Sequence, residues 1–208
     1  MSFGELADAI GWVALFLGVG STVAQFDRVR RLGTDGVSIA TWTLFALMSV
    51  FWVCYGLAEH SVVVILGSAI LIPFQLSIVR HLRPRQSKAI VARSCAYAFG
   101  LCVLTTCLWG WEGGLLGTGA LMIINRGPQI LKLLRPGSGS GVSVASWSVG
   151  AICLAGWVIY YAGQRQWAAS VATGIAAFAS STIALLATWR HRQSDESFEL
   201  AGAQLAQA

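Results

Sequence analysis

Seven stretches of about 20 predominantly apolar residues follow one another along a chain of 208 residues, and only short polar breaks separate them. They run roughly over 6–26, 38–57, 61–80, 90–109, 113–134, 143–162 and 167–189. A helix of about 20 apolar residues spans the hydrocarbon core of a bilayer. Lipid offers backbone N–H and C=O groups no partner, so the backbone must pair with itself, in helices or in a closed barrel. The expected fold class is therefore an all-α membrane protein with seven transmembrane helices.

Only 11% of the residues are charged, against about 25% in an ordinary soluble domain. Mean hydropathy is +0.67 and there are nine Trp, which also favours lipid as the solvent. The net charge of +5 is gathered on alternate connections. Arg28, Arg30 and Arg31 follow the first stretch; Arg80, Arg83, Arg85, Lys88 and Arg93 surround the break after the third; Lys132 and Arg135 end the fifth; Arg190 and Arg192 follow the seventh. The other side carries Arg165 with Glu5, Asp8, Glu59 and Glu112. The positive-inside rule then puts the N-terminus outside and the C-terminus in the cytoplasm, in a plasma or inner membrane. The basic residues read as topology signals and not as a nucleic-acid surface; a lipid-binding patch is the competing use. Glu5 and Asp8, with no basic segment before them, point to a retained first span. The five Cys lie in apolar runs and read as small hydrophobes, and the three His have no metal-ligand spacing, so neither metal nor cofactor is expected. Residues 193–208 lack a sustained apolar face and are expected to form a disordered cytoplasmic tail.

The chain repeats itself. GVSIATWTLFALMSVFWVCYG at 36–56 lies over GVSVASWSVGAICLAGWVIYY at 141–161 without a gap, at an offset of 105. Gly36/Gly141, Ser38/Ser143, Trp42/Trp147, Trp52/Trp157 and Tyr55/Tyr160 match, and the same offset carries Ser68 onto Thr173. Upstream the offset is 104, relating Gln25 to Gln129 and Ser21 to Asn125. A register kept over so many positions is a repeat of structure, not of composition. Each copy holds three spans with its basic loop on the same side, so the copies are parallel and one further crossing must join them. The expected organisation is a first triple-helix bundle at 1–82, a linker helix at 83–112 and a second bundle at 113–192, a three-plus-one-plus-three arrangement.

These motifs resemble those of the PQ-loop/SWEET group of transporters: Pro128-Gln129 near the inner end of the first helix of a bundle, a basic loop, G-x-S before the second helix, and WVCYG at 52–56 at its outer end. The resemblance covers nearly the whole chain. It implies a facilitative carrier working by alternating access between parallel repeats. Family members carry prolines in the first and second helices of both bundles; here Pro128 alone stands at such a position, and Ala24 replaces its partner. Pro128 then implies a hinge, with Gln129 capping the freed backbone, against the alternative of a static kink. Pro73 predicts a second kink in the third span.

Trp52 and Trp157, at equivalent places on the two copies, are candidates to sandwich a sugar ring, with packing or interfacial anchoring as the competing roles. Near the span ends, Trp109, Trp111, Trp167 and Trp189 read as anchors. The family pairs each pocket Trp with an Asn sixteen residues on; Ser68 and Thr173 stand there in this chain, polar but shorter. Ser21, Gln25, Asn125 and Gln129 are expected to line an inner vestibule. Tyr55 and Tyr160 are expected at the outer gate. Arg126 lies within a span, which costs at least about 2.5 kcal/mol at the bilayer centre. It has three readings: a gate pair with Asp27, a contact to an anionic substrate group, or snorkelling to the headgroups.

No Asp or Glu lies in the middle of any span, which favours uncoupled transport over proton coupling. The expected chamber is uncharged and its solute small, neutral and polar, foremost a sugar. Two other functions compete: a proton-coupled amino-acid-type exporter and a non-transporting seven-helix binding or sorting receptor. An enzyme is not expected, since no acid/base pair, metal cluster or phosphate motif is present, and the Gly137–Gly141 run lacks a Walker lysine. The small and aromatic residues of the spans permit a homo-oligomer without specifying one.

Overall fold

The computed structural model describes residues 2–33, 37–82, 88–135 and 143–207, with the side chains of Leu32, Pro128, Lys132 and 194–207 left aside. Arg83, Arg85, the Asp35-Gly36 break, Gly141 and the Gly/Ser run before it lie outside the described residues. The described chain is helical, in the order α1 (Phe3–Leu32), α2 (Ile39–Ala58), α3 (Val62–Ala69), α4 (Leu71–Leu82), α5 (Lys88–Ala98), a π-helical stretch (Phe99–Leu104), α6 (Thr105–Leu134), α7 (Val144–Gly163) and α8 (Trp167–Gln207). Six helical segments are long and apolar enough to cross a bilayer, as in a helical membrane protein. Large apolar side chains face outward along them, among them Phe16, Ile152, Phe178 and Leu185. In water such a surface would aggregate; against acyl chains it is the ordinary lipid face.

Local chemistry explains the helix ends. Ser2 and Glu5 form a reciprocal capping box at the start of α1. Ser38 caps α2 by accepting from the Thr41 amide, and Ser143 caps α7 by accepting from the Ser146 amide. The serine of the repeated G-V-S is thus an N-cap, which supplies an acceptor for an amide that has no partner inside its helix. The far ends are also equivalent. In the first copy, His60 N donates to Leu57 O and Ser61 N to Gly56 O; in the second, Arg165 N donates to Ala162 O and Gln166 N to Tyr161 O. This is the Schellman pattern, with His60 (φ 53°) and Arg165 (φ 60°) in the left-handed conformation usually left to glycine. Both caps and both turns keep the offset of 105.

The third span divides at Ile70, between α3 and α4. Pro73 has no N–H to give the Ala69 carbonyl, which removes one rung of the helix at that point. Pro128, by contrast, lies within α6 without a break in the helix assignment.

The 44-residue apolar run from Lys88 to Leu131 is too long for one crossing, and it folds back on itself. Helical geometry is lost at Trp109 (φ −129°, ψ 16°) and Gly110 (φ 69°, ψ −166°). The two arms then pack antiparallel, so closely that a methyl group on Gly117 would collide with the Leu101 carbonyl and one on Gly113 would lie 2.7 Å from the Thr105 carbonyl. Opposite Gly117, the Thr105 hydroxyl donates to the Leu101 carbonyl at 2.6 Å and Thr106 donates to Cys102 O at 2.6 Å. Such bonds satisfy the threonine hydroxyls inside an apolar segment, and Cys102 O accepts the Thr105 backbone N–H as well.

α3 and α4 contact α1 and α2, and α8 contacts α6 and α7. The largest contact between the halves joins α1 to α7, which run antiparallel. Small residues make it possible. Gly163 faces Ala7, Gly156 faces Ala14 and Gly11 lies under the ring of Tyr160. Lipid gives helices no hydrophobic drive to associate, so close backbone approach and dispersion must hold them. Cys153 adds a thiol donated to the Ala14 carbonyl at 3.2 Å.

Two features differ from the sequence reading. Helix α8 continues to Gln207, through the segment expected to be disordered. Ala, Leu, Gln and Glu dominate 196–207 and are strong helix formers, so local propensity carries the helix on without an apolar face. Trp111 is half-buried and packs against the core as well as standing near a span end: it lies edge-on to Phe51 and Tyr55, at 5.8 and 5.6 Å between centroids. Trp109 and Trp167 are largely exposed at the end of the bundle that carries the N-terminus.

Candidate functional site

A cavity of about 190 Å³ lies between the two halves. Trp52 from α2, Ser68 from α3, Trp157 from α7 and Thr173 from α8 all line it, together with Gln75, Arg126 and Tyr161. Trp52 and Trp157, and Ser68 and Thr173, are related by the offset of 105. Gly67 contributes by what it lacks: a Cβ there would stand 3.1 Å from the Trp157 indole. The missing side chain is what lets the indole of one half reach α3 of the other.

The sequence suggests a solute ring held between Trp52 and Trp157. In the structure Tyr161 stacks on both, 5.4 Å and 20° from Trp52 and 5.8 Å and 26° from Trp157. A ring of the chain itself thus bridges the two indoles. Tyr55 and Tyr160 join the same cluster, Tyr55 edge-on to Trp52 and Tyr160 edge-on to Trp157 and Tyr161. Above it, at the N-terminal end of the bundle, three polar contacts tie the halves together. Ser61 and Tyr160 share a hydrogen bond of 2.7 Å, Gln164 Nε2 donates to Asp8 at 2.6 Å, and Gln166 Nε2 donates to Glu59 at 3.1 Å. That end is closed twice, by packed rings and by hydrogen bonds.

Arg126 departs most from expectation. It does not pair with Asp27, which instead holds Arg31 at 2.9 Å and Arg30 at 3.5 Å on the surface of α1. The reason is helical spacing: those arginines lie three and four residues beyond Asp27, on its own face. Nor does Arg126 snorkel, being 6% exposed. Its Nε donates to Ser180 Oγ at 2.9 Å, its guanidinium stands 5.8 Å from the Phe45 ring centroid, and its Nη1 has no hydrogen-bond partner. Two further buried atoms of the cavity wall are also unpartnered, Gln75 Oε1 and Thr173 Oγ1. The chamber is therefore not uncharged. Arg126 is its one charged wall residue among the described residues, and no carboxylate lines it.

The vestibule expected from four residues forms from two. Asn125 and Gln129 line a cleft of about 420 Å³ toward the basic end, with Ser38, Thr41, Arg93 and Trp147. Ser21 is exposed and Gln25 half-buried on α1, neither lining that cleft. The cause is the packing order: α1 contacts α7, α3 and α4, so positions on α1 do not meet their equivalents on α6.

Sequence reasoning missed Tyr161, Gln75 and Ser180. A signal was present for two of them, since the offset of 105 carries Gln75 onto Ser180 and both are polar in apolar surroundings. Tyr161 differs from its equivalent, Gly56, so the repeat is silent there. Among the described residues no group of His, Cys, Asp and Glu is placed to hold a metal ion. Comparison with family models, with curated proteins and with solved structures found no match.

Proposed function

We propose that this chain is a facilitative carrier of the PQ-loop/SWEET type, moving a small polar solute of the sugar class by alternating access between two parallel triple-helix units joined by α5 in a three-plus-one-plus-three arrangement. One observation carries the reading: Trp52, Ser68, Trp157 and Thr173, paired by the repeat, line a single cavity between the halves. Its volume of about 190 Å³ lies below the range of roughly 300–1,000 Å³ usual for drug-sized ligands, which suits a small solute. Equivalent caps and turns in the two copies support the parallel repeat.

In this reading the N-terminus is outside and the basic end cytoplasmic, following the charge asymmetry. The packed rings and the bonds from Ser61, Glu59 and Asp8 then close the outer mouth, and the wider cleft at Asn125 and Gln129 is the inner approach. Switching to the outward-open state requires Tyr161 to leave the indoles and the three polar contacts to part. Pro128 is proposed as the hinge of the inner mouth.

The test is uptake by purified protein in liposomes, with a panel of labelled sugars, sugar derivatives and amino acids, with and without a pH gradient. Saturable flux indifferent to the gradient is expected. Gradient-driven amino-acid flux would replace the reading with a proton-coupled exporter, and saturable binding without any flux would replace it with a receptor.

A further inference from the structure

We infer that the solute carries a carboxylate, seated on Arg126 Nη1, on a small hydroxylated frame; the inference deepens the carrier reading and rests on it. Arg126 carries a guanidinium, so the cavity wall holds a cation. Burial denies that cation water, and the chain supplies little else: one hydroxyl, Ser180 Oγ, on Nε, and a ring face at Phe45. Nη1 has no partner. The acidic side chains among the described residues do not line the cavity, and Asp27, once a candidate, is engaged by Arg30 and Arg31. A buried charge is tolerated when it is paired and hydrogen-bonded, and pairing is what the protein withholds here. The bound solute is the remaining source of the countercharge.

The rest of the wall describes the remainder of the solute. Gln75 Oε1 is a buried acceptor without a donor, and so asks for a hydroxyl or N–H. Thr173 Oγ1, also buried and unpartnered, can donate and accept. Ser49 and Ser68 add hydroxyls to the same wall. With no carboxylate among the described residues of the wall to receive an ammonium group, it fits a hydroxy acid or sugar acid better than a zwitterionic amino acid. A neutral sugar would satisfy the hydroxyl-reading groups and leave Arg126 unpaired. The cavity therefore selects on charge, which composition does not reveal.

The experiment compares glucose with glucuronate, which carries a carboxylate in place of one hydroxymethyl group, and adds glycerate as a smaller hydroxy acid and glycine as a zwitterion. Unfolding temperature in detergent reads binding, and flux into liposomes under an imposed membrane potential reads transport. At least one of the two carboxylates is expected to raise the unfolding temperature and to cross at least tenfold faster than glucose, faster still when the receiving side is positive. R126Q is expected to lose that stabilisation, and R126K, which keeps a charge without the planar fork, to retain part of it. If R126Q does not fold, S180A serves in its place: it frees Nε without removing the charge, and weaker, not abolished, carboxylate binding is expected. Glucose or glycine moving faster than both acids would overturn the inference while leaving the carrier reading intact. Equal stabilisation of wild type and R126Q by the acids would also overturn it. Arg126-dependent stabilisation by an acid without any flux would uphold the carboxylate site and remove the carrier.

Discussion

Tyr161 lies against Trp52 with ring centroids 5.4 Å apart and planes 20° apart, although the two residues belong to different halves of the molecule and are 109 positions apart in sequence. Because the same ring also stacks on Trp157, the two indoles are occupied by a side chain of the protein. A solute seeking both indole faces must displace that side chain.

Removing the ring should therefore open the closed end. Cys153 lines the cavity and is buried, so it can report on access. In a background where Cys54, Cys95, Cys102 and Cys107 are replaced by alanine, Tyr161→Ala is expected to raise the rate at which a membrane-impermeant thiol reagent, added at the N-terminal side, modifies Cys153 by tenfold or more. An unchanged rate would show that Tyr161 does not bar that path.

The Ser61–Tyr160 bond, at 2.7 Å, ties α3 to α7 across the same end. Tyr160→Phe keeps the ring, with its edge contacts to Trp157 and Tyr161, and removes only the hydroxyl. A loss of about 0.5–1.5 kcal/mol is expected for one such bond, read as a lower unfolding temperature. In flux assays the same variant should open that mouth more readily, since the lost bond belongs to the closed state alone. A variant with wild-type stability and flux would show the bond to be incidental.

Two glycines in apolar helices should answer alanine differently. A Cβ on Gly117 meets the backbone of Leu101, which has no flexible end to move aside. Gly117→Ala is expected to cost about 1–3 kcal/mol or more as an overpacking change, with reduced recovery of folded protein in detergent. Gly20 has nothing within 4 Å of the corresponding position. Gly20→Ala should be neutral or stabilising by up to about 1 kcal/mol, the helix-propensity difference. Similar responses at both sites would contradict the hairpin packing.

His60 and Arg165 both hold a left-handed backbone with a Cβ present. Glycine relieves that clash at a cap position, where the left-handed form costs an L-residue about 1–2 kcal/mol. His60→Gly is expected to raise the unfolding temperature slightly, the gain being reduced by the greater freedom of glycine in the unfolded chain. A marked fall would show that the His60 side chain, which lines the surface cleft beside Asp8 and Glu59, contributes more than its backbone strain removes.

The apolar helices and the repeated motifs were legible in the chain by itself because each rests on local chemistry, although the capping role of the G-V-S serine was read only from the structure. An apolar run must satisfy its own backbone in lipid, a serine ahead of α2 or α7 accepts an orphan amide, and Pro73 removes one rung of its own helix. Trp52, Ser68, Trp157 and Thr173, singled out by their equivalent places in the repeated sequence, line one cavity. Only the tertiary structure decided that Tyr161 fills the space against the indoles, that Asp27 turns to its own helix, and that Arg126 points at Ser180 with a free Nη1 and, among the described residues, no carboxylate lining its cavity. Those outcomes depend on which helix faces meet and how deeply each is buried. Neighbours in space, separated by about a hundred residues of chain, impose them, and no periodicity along a single segment encodes them.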